Sequence, residues 1–554
     1  MKTVIVGGVA GGIATATRLR RLTGKGEIIV FERGNYVSFA NCGLPYYVGD
    51  VIKDEDKLLV QTPDQLRQRY DLDVRLRCEV TKINRKAKTV EVTNLETGEI
   101  ITESYDKLLL AQGAEPVKPS LPGVDFPGVH TLRSVDDVRV LRADADKEEV
   151  KSVLVVGGGF IGVELAENYR LRGKAVMLAE FMDQLLPPLD YEMACIVQQE
   201  MRRNGVSLHL GCGLEKIEKD GKRLKATLSN GTGLTADKII LSVGIHAETE
   251  LATEAGLEIG STKGLLVDAR MRTSDPDIYA VGDMVELKNY VTGKPIRGAL
   301  AGPASKQARV AADNLAGKSV EYQGSMGTSV LKVFSLTAAG TGLNEKNLKA
   351  LDMKYEKIYC SPASHATYYP DSTRMMLKLL FDSENGKIFG AQGVGPDGVD
   401  KRIDVLSTAI HFGATVKDLQ ELDLAYAPPY STAKDPVNYL GYVAENVMTG
   451  QTKLFHWHDV AELPELPFLV DVRTDMEFFM GNIPDSMNTS LNILRDNLDE
   501  FPDDETIYLV CREGLRAYIA ECALKENGLT DIKNLSGGYE LWSAVNAERK
   551  AIEK

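Results

Sequence analysis

The sequence predicts an α/β protein of several domains, and three observations predict it. A strand–glycine turn–helix–strand pattern opens the chain, the same pattern recurs at residues 151–180, and a further run of alternating strands and helices closes it. With 554 residues the chain is long enough for three or four hydrophobic cores.

The first unit reads as a buried strand over residues 2–6, a turn over 7–12, a helix over 13–22 and a second strand over 27–31 that ends at Glu32. An acid about 20 residues beyond a glycine turn is the pattern of a dinucleotide site. Gly7, Gly11 and Gly12 let the backbone approach a pyrophosphate, and the helix N-terminus supplies N–H donors and the positive end of its dipole. The turn departs from the usual Gly-x-Gly-x-x-Gly at Val9. The second unit fits in full: a strand over 153–156, then Gly157-Gly158-Gly159-Phe160-Ile161-Gly162, then a strand over 175–180. Glu180 suits free ribose hydroxyls and repels a 2′-phosphate, and residues 181–184 offer no basic replacement. NADH is therefore expected over NADPH.

Residues 81–110 read as a β-meander broken near residues 84–86 and 96–98, and residues 207–242 repeat that character. A later strand ends in Ala280-Val281-Gly282-Asp283. Residues 325–445 mix strands and helices with tyrosine-rich turns, and a last unit follows, with a strand over 506–510 and a helix starting near Leu515.

Composition narrows the function. Sixty-five basic against seventy-nine acidic residues leave a net charge of −14, with no basic tract of the kind that grips nucleic acid. The start has a basic–apolar opening like a signal peptide, but glycines break it at once. No run approaches the roughly 20 apolar residues that span a bilayer. Seven scattered cysteines fit a reducing compartment better than a disulfide framework. A cytoplasmic enzyme without membrane or nucleic-acid partners is expected. His456 and His458 lack a supporting ligand cluster, so no metal is expected.

Two of the cysteines have context. Cys42 stands alone in Ser38-Phe39-Ala40-Asn41-Cys42-Gly43-Leu44-Pro45-Tyr46, without the second thiol of a local dithiol pair. A helix start beside it is expected to lower its pKa, and Asn41 to orient substrate. Cys511 begins Cys511-Arg512-Glu513-Gly514-Leu515-Arg516, a loop whose successive N–H groups can cradle a thiolate or persulfide, with Arg516 adding positive charge. Cys78, Cys195, Cys212, Cys360 and Cys522 read as structural thiols.

On these residues, positions 1 to about 445 resemble the flavoprotein disulfide reductases with two dinucleotide domains, and 455–554 resemble a rhodanese domain. Within the superfamily the Cys42 segment looks most like the coenzyme A disulfide reductases. The resemblance implies two Rossmann-like domains, an α+β dimerisation domain and a C-terminal α/β rhodanese domain. Their expected extents are FAD-binding 1–117 and 246–322, NAD-binding 118–245, dimerisation 323–445, linker 446–455 and rhodanese 456–554.

It further implies FAD in the first glycine turn, with Asp283 on its ribityl chain and the helix near Ala301 aimed at the flavin. Glu164 is implied near the nicotinamide. Ser38, Arg18 and Arg21 join the implied cofactor contacts, with Arg18, Arg20 and Arg21 as candidates for coenzyme A phosphates. Tyr368 or Tyr369 and Tyr426 match tyrosines that reach a partner subunit's thiol in a homodimer.

The fused rhodanese favours reduction of persulfide or polysulfide sulfur, such as coenzyme A persulfide, to thiol and sulfide. Coenzyme A disulfide reduction for thiol homeostasis is the alternative. A redox-sensing role ranks lower. Peroxidase or oxidase chemistry also ranks lower, because residues 9–12 of the first turn hold no histidine.

Overall fold

The computed structural model describes residues 1–552, and they divide into two compact units. The first comprises Met1–Asp183 and Gly205–Gly327, the second Gln184–Asn204 and the chain from Thr328 onward. Among the described residues no helix is long and apolar enough to cross a membrane.

The first unit holds two parallel five-stranded sheets. In one, strand Lys2–Val6 lies between Glu27–Glu32 and Lys107–Leu110, with Ile278–Ala280 and Asp73–Leu76 at the edges. In the other, Ser152–Val156 lies between Ala175–Ala179 and Lys238–Leu241. These central strands are apolar and buried on both faces, as parallel strands flanked by helices require. The first helix runs Ala10–Thr23, three residues earlier than the glycines suggest. Gly12 sits inside its first turn, where a Cβ would lie 1.9 Å from the Gly7 carbonyl oxygen. A glycine here shapes the helix start and does not only bend the turn.

Each expected meander is a three-stranded antiparallel sheet followed by a strand that leaves it. Cys78–Asn84, Thr89–Asn94 and Ile100–Ser104 form one, while Lys107–Leu110 joins the parallel sheet beside Lys2–Val6. Leu214–Asp220, Arg223–Leu228 and Gly233–Ala236 form the other, and Lys238–Leu241 departs in the same way. The departing strands carry continuous apolar runs, and the meander strands alternate. Ala114–Pro116 then pairs antiparallel with Ile245–Ala247, tying together the two crossovers.

The second unit contains an antiparallel sheet, ordered Ser329–Val333, Leu336–Gly342, Ile388–Gly395, Met376–Phe381, Glu356–Cys360, and a parallel sheet built around Phe468–Asp471, Ile507–Val510 and Ile532–Leu535. Helix Tyr191–Arg203 belongs to this unit: Gln198 Nε2 donates to Glu548 Oε2 at 3.1 Å, and Arg202 pairs with the same carboxylate. The Lys378 ammonium is fully buried and reaches Asp190 at 2.8 Å, Glu192 at 2.6 Å and Glu345. These three carboxylates lie close enough to hold a metal ion, and the ammonium is their counter-charge. Burial opposes the charge on Glu345, but Lys378 and Lys357 outweigh it and hold the carboxyl well below its usual range.

Lys378→Met should lower stability by about 3–5 kcal/mol, because buried Asp190 and Glu192 lose their cation and Glu345 keeps only Lys357. Urea unfolding followed by fluorescence checks this, and an unmoved midpoint would show that the carboxylates find solvent or protons instead.

Candidate active site

The two glycine turns present the same local geometry. Gly8 N–H donates to Glu32 Oε2 at 2.7 Å, and Gly34 N–H donates to Oε1 of the same carboxylate at 2.7 Å. In the second unit Gly158 N–H donates to Glu180 Oε2 at 2.5 Å and Met182 N–H to Oε1 at 2.8 Å. Each acid is thus fixed at a strand end beside its turn. A Cβ on Gly7 would lie 2.4 Å from the Ala111 carbonyl oxygen, and one on Gly162 1.9 Å from that of Gly157. At Gly159 no heavy atom lies within 4 Å of the Cβ position. Backbone packed on one side and open on the other is the shape a pyrophosphate needs, so the second turn fits a dinucleotide, and the first turn matches it in its close backbone packing and its fixed acid.

Cys42 lies on the short 3-10 turn Asn41–Gly43, exposed as a residue, and helix Leu44–Val48 follows. Its pKa runs against the sequence expectation. Partial burial pushes the thiol up, the negative charges of Glu164 and Asp283 push it further, and one backbone contact within its own turn opposes them. The helix after it is only five residues long.

Glu164 itself is pushed up to about 7, first by burial and then by Glu167, while the Tyr46 hydroxyl donates to it at 3.1 Å and opposes the shift. Asp283 is raised by burial, against Arg133 and Arg297. It follows Gly282, which has φ +86° and open space at its Cβ position. Ser38 holds a left-handed φ of +50°, donates its N–H to the Gly8 carbonyl and accepts from Val60 N–H, which locks the thiol segment to the first turn.

The arginines of the first helix divide. Arg18 donates twice to Asp313 Oδ1, at 2.9 and 3.1 Å, on helix Ala301–Leu315. Arg20 donates to the carbonyls of Tyr70, Gly26 and Asp71. Arg21 is exposed, its guanidinium 6.0 Å from the Tyr70 ring centre. Helix Ala301–Leu315 begins without a side-chain cap.

In the second unit Cys511 is fully buried and accepts from the Gly514 N–H at 3.0 Å. Burial raises its pKa, while backbone donors at Ala517, Glu513 and Gly514 and the Arg516 charge pull it down. The Cys511 carbonyl is turned away to accept from Tyr539 N–H at 2.8 Å, and a Cβ on Gly538 would lie 2.4 Å from the Arg512 carbonyl oxygen. Arg516 does not point its charge freely at the thiol; Glu477 holds it through two bonds of 2.7 Å. Tyr368 and Tyr426 share a hydroxyl–hydroxyl bond of 2.8 Å and are exposed, as is Tyr369. His456, pushed down to about 3 by burial and then by Lys357, stays neutral.

Family models match along almost the whole chain: pyridine nucleotide-disulphide oxidoreductase over residues 1–313, the dimerisation domain of that family over 328–436 and a rhodanese-like domain over 456–545. The chain belongs to the pyridine nucleotide-disulphide oxidoreductase family. It is an α/β oxidoreductase with a dimerisation domain and a C-terminal rhodanese domain, and membership implies FAD and NAD(P)H. A coenzyme A disulfide reductase of Staphylococcus haemolyticus is 35% identical over 447 residues, 80% of this chain and 100% of its own length. The structure of reduced Bacillus anthracis CoADR-RHD is 46% identical with a TM-score of 0.96, covering 99% of this chain and 98% of its own. A NAD-dependent persulfide reductase from A. fulgidus is 38% identical with a TM-score of 0.93, covering 98% and 100%.

Sequence reasoning did not single out Tyr46, which ends the Cys42 segment, or Arg133, Glu477 and Asn534. Only Tyr46 carried a signal, through its place in the motif; the others act across long separations.

The acid beside Cys42 gives a prediction with a definite sign. Glu164 binds its proton more tightly folded than the usual 4.5, so its charge works against the fold as pH rises from 4.5 through about 7. Over the same rise its charge makes Cys42 harder to ionise. Glu164→Gln should move the pH midpoint of Cys42 alkylation downward by on the order of half a unit, read by peptide mass spectrometry. An upward shift would contradict the placement.

Proposed function

We propose that the protein uses NADH to reduce persulfide or polysulfide sulfur, coenzyme A persulfide among its substrates, through Cys42, and that Cys511 handles sulfane sulfur. The carrying observation is the pairing in one chain of a solitary exposed thiol beside two nucleotide turns with a buried thiol cradled by loop N–H groups. The names of the relatives from S. haemolyticus and A. fulgidus support the two substrate classes.

Glu32 and the first turn would hold FAD, with Asp283 and the start of helix Ala301–Leu315 along its length. Glu180 and the second turn would hold NADH, the carboxylate disfavouring a 2′-phosphate. The bound flavin supplies two-electron transfer between nicotinamide and sulfur. The Cys42 thiolate attacks the inner sulfur of R–S–SH, forming a mixed disulfide and releasing HS⁻. Two electrons originating from NADH then restore the Cys42 thiolate and release R–SH. The sum is R–S–SH + NADH + H⁺ giving R–SH + H₂S + NAD⁺.

Glu164, whose carboxyl burial pushes up to about 7, would hold or release the proton that the leaving sulfur requires. Arg21 is the exposed candidate for a coenzyme A phosphate, Arg18 being engaged with Asp313. Asn41 is assigned to substrate orientation. Tyr368, Tyr369 and Tyr426 are assigned to the partner subunit's thiol in a homodimer. Coenzyme A disulfide would enter by the same attack, without sulfide release.

Anaerobic NADH oxidation by wild type, Cys42→Ser and Cys511→Ser should separate these readings. Sulfide release from coenzyme A persulfide is expected to fall by at least about a hundredfold in Cys42→Ser and to survive in Cys511→Ser, with polysulfide turnover falling in both. Turnover confined to coenzyme A disulfide would leave a thiol-recycling enzyme in place of a persulfide reductase.

A further inference from the structure

Tyr368 and Tyr426 stand on two separate loops and both side chains are exposed, yet their hydroxyls meet at 2.8 Å. Exposed phenols on irregular backbone keep one meeting point only if the loops beneath them are fixed.

The group that fixes the first loop is a buried histidine. His365 is 6% exposed and Ser364 beside it 1%. His365 Nε2 lies 2.9 Å from the Pro370 carbonyl oxygen, which can only accept, so Nε2 carries the hydrogen. In the neutral ring Nδ1 is then the acceptor, and the Ser364 hydroxyl donates to it at 3.0 Å. Ser364 Oγ in turn accepts from Thr373 N–H at 3.2 Å, and the Ser372 hydroxyl donates to the His365 carbonyl at 2.9 Å. One imidazole thereby ties both ends of the short segment that carries Tyr368. Asp371, directly after Pro370, holds a left-handed φ of +64°, which costs a non-glycine residue energy and needs holding in place. Tyr369 packs its ring edge-on against His365, with centroids 5.8 Å apart, and leaves Tyr368 to meet Tyr426.

The same base is joined to the second loop. Ala366 N–H donates to the Ser431 carbonyl at 3.0 Å. Arg402 is 1% exposed, and its Nη2 donates to the Ser364 carbonyl at 2.9 Å, to Ser431 Oγ at 3.1 Å and to Asp435 Oδ2 at 3.2 Å. The Ser431 hydroxyl donates to the same Asp435 oxygen at 2.6 Å. Both tyrosine loops therefore rest on one buried polar network, and His365 is its contact with the Tyr368 turn.

We propose that His365 is a positioning residue for the Tyr368–Tyr426 hydroxyl pair, holding the turn at the height where the two hydroxyls meet and can serve one thiol together. This rests on the reading of the pair as part of the thiol site. His365 acts through Tyr368: its two ring nitrogens are spent on Pro370 and Ser364, and its effect on turnover is the effect of where the Tyr368 hydroxyl sits.

The test measures kcat of the full-length protein with NADH, for coenzyme A persulfide and for coenzyme A disulfide. His365→Phe fills the space and removes both ring bonds; it is expected to lower kcat about tenfold with the KM for NADH unchanged. His365→Gln keeps a donor for Pro370 and should recover most of that loss. Tyr368→Phe should itself lower kcat, and adding His365→Phe to it should change kcat by less than about twofold, because both act on one hydroxyl. The same tenfold loss in both backgrounds would make His365 a general structural residue and overturn the proposal, as would an unchanged kcat in His365→Phe. Wild-type kcat in both Tyr368→Phe and Tyr426→Phe would overturn the reading of the pair instead. Where His365→Phe fails to fold, Ser364→Ala removes the partner of Nδ1 and carries the same comparison, with an expected loss of about threefold.

Discussion

Sulfur chemistry needs a thiolate, and both candidate thiols sit where burial favours the neutral form. The two surroundings answer that cost differently. Around Cys511 the chain bends its own amides inward: Gly514 adopts φ +112°, its N–H meets the sulfur, and the Cys511 carbonyl is drawn off to Tyr539. Around Cys42 no such cradle exists, and two carboxylates add to the cost. Burial is the first cause of the raised pKa at Cys42, and the charge on Glu164, an acid itself pushed up to about 7, adds to it. Fixed backbone donors oppose the effect of burial at one thiol, and a carboxylate neighbour reinforces it at the other.

What could be read from the sequence followed locality. The glycine turns, the terminal acids Glu32 and Glu180 and the Cys511 loop are set by residues close together in the chain, and the structure builds each where the pattern puts it. The start of the first helix and the strands that leave each meander were misplaced, because a glycine inside a helix turn and a strand paired to a distant one look like their neighbours in sequence. The expected lowering of the Cys42 pKa is reversed first by burial and then by two acids that only the fold brings near. Glu164 and Asp283 lie 122 and 241 positions further along the chain, and nothing near Cys42 announces them. Arg374 and Glu513, 139 positions apart, are equally invisible until the chain folds.

Within the second unit, one strand links the buried Lys378 cluster to the neighbourhood of the Cys511 loop. Glu356–Cys360 carries Tyr359, whose hydroxyl donates to Glu192 at 2.9 Å in the buried Lys378 cluster and whose N–H donates to Ser536 Oγ at 3.2 Å. Ser536 directly follows the strand that carries Asn534, and Gly537 packs so closely that a Cβ there would lie 3.2 Å from the Tyr359 Cβ. The dimerisation-domain sheet thus packs against the segment after Asn534, and Arg374, two residues before strand Met376–Phe381 of that sheet, pairs with Glu513 in the Cys511 loop. A rhodanese unit cut away from this sheet would lose the Tyr359 contact and the Arg374 charge together. The two domains are then joined by more than the chain between them: the dimerisation domain supplies hydrogen-bond and ion-pair partners to Ser536 and to Glu513 in the Cys511 loop.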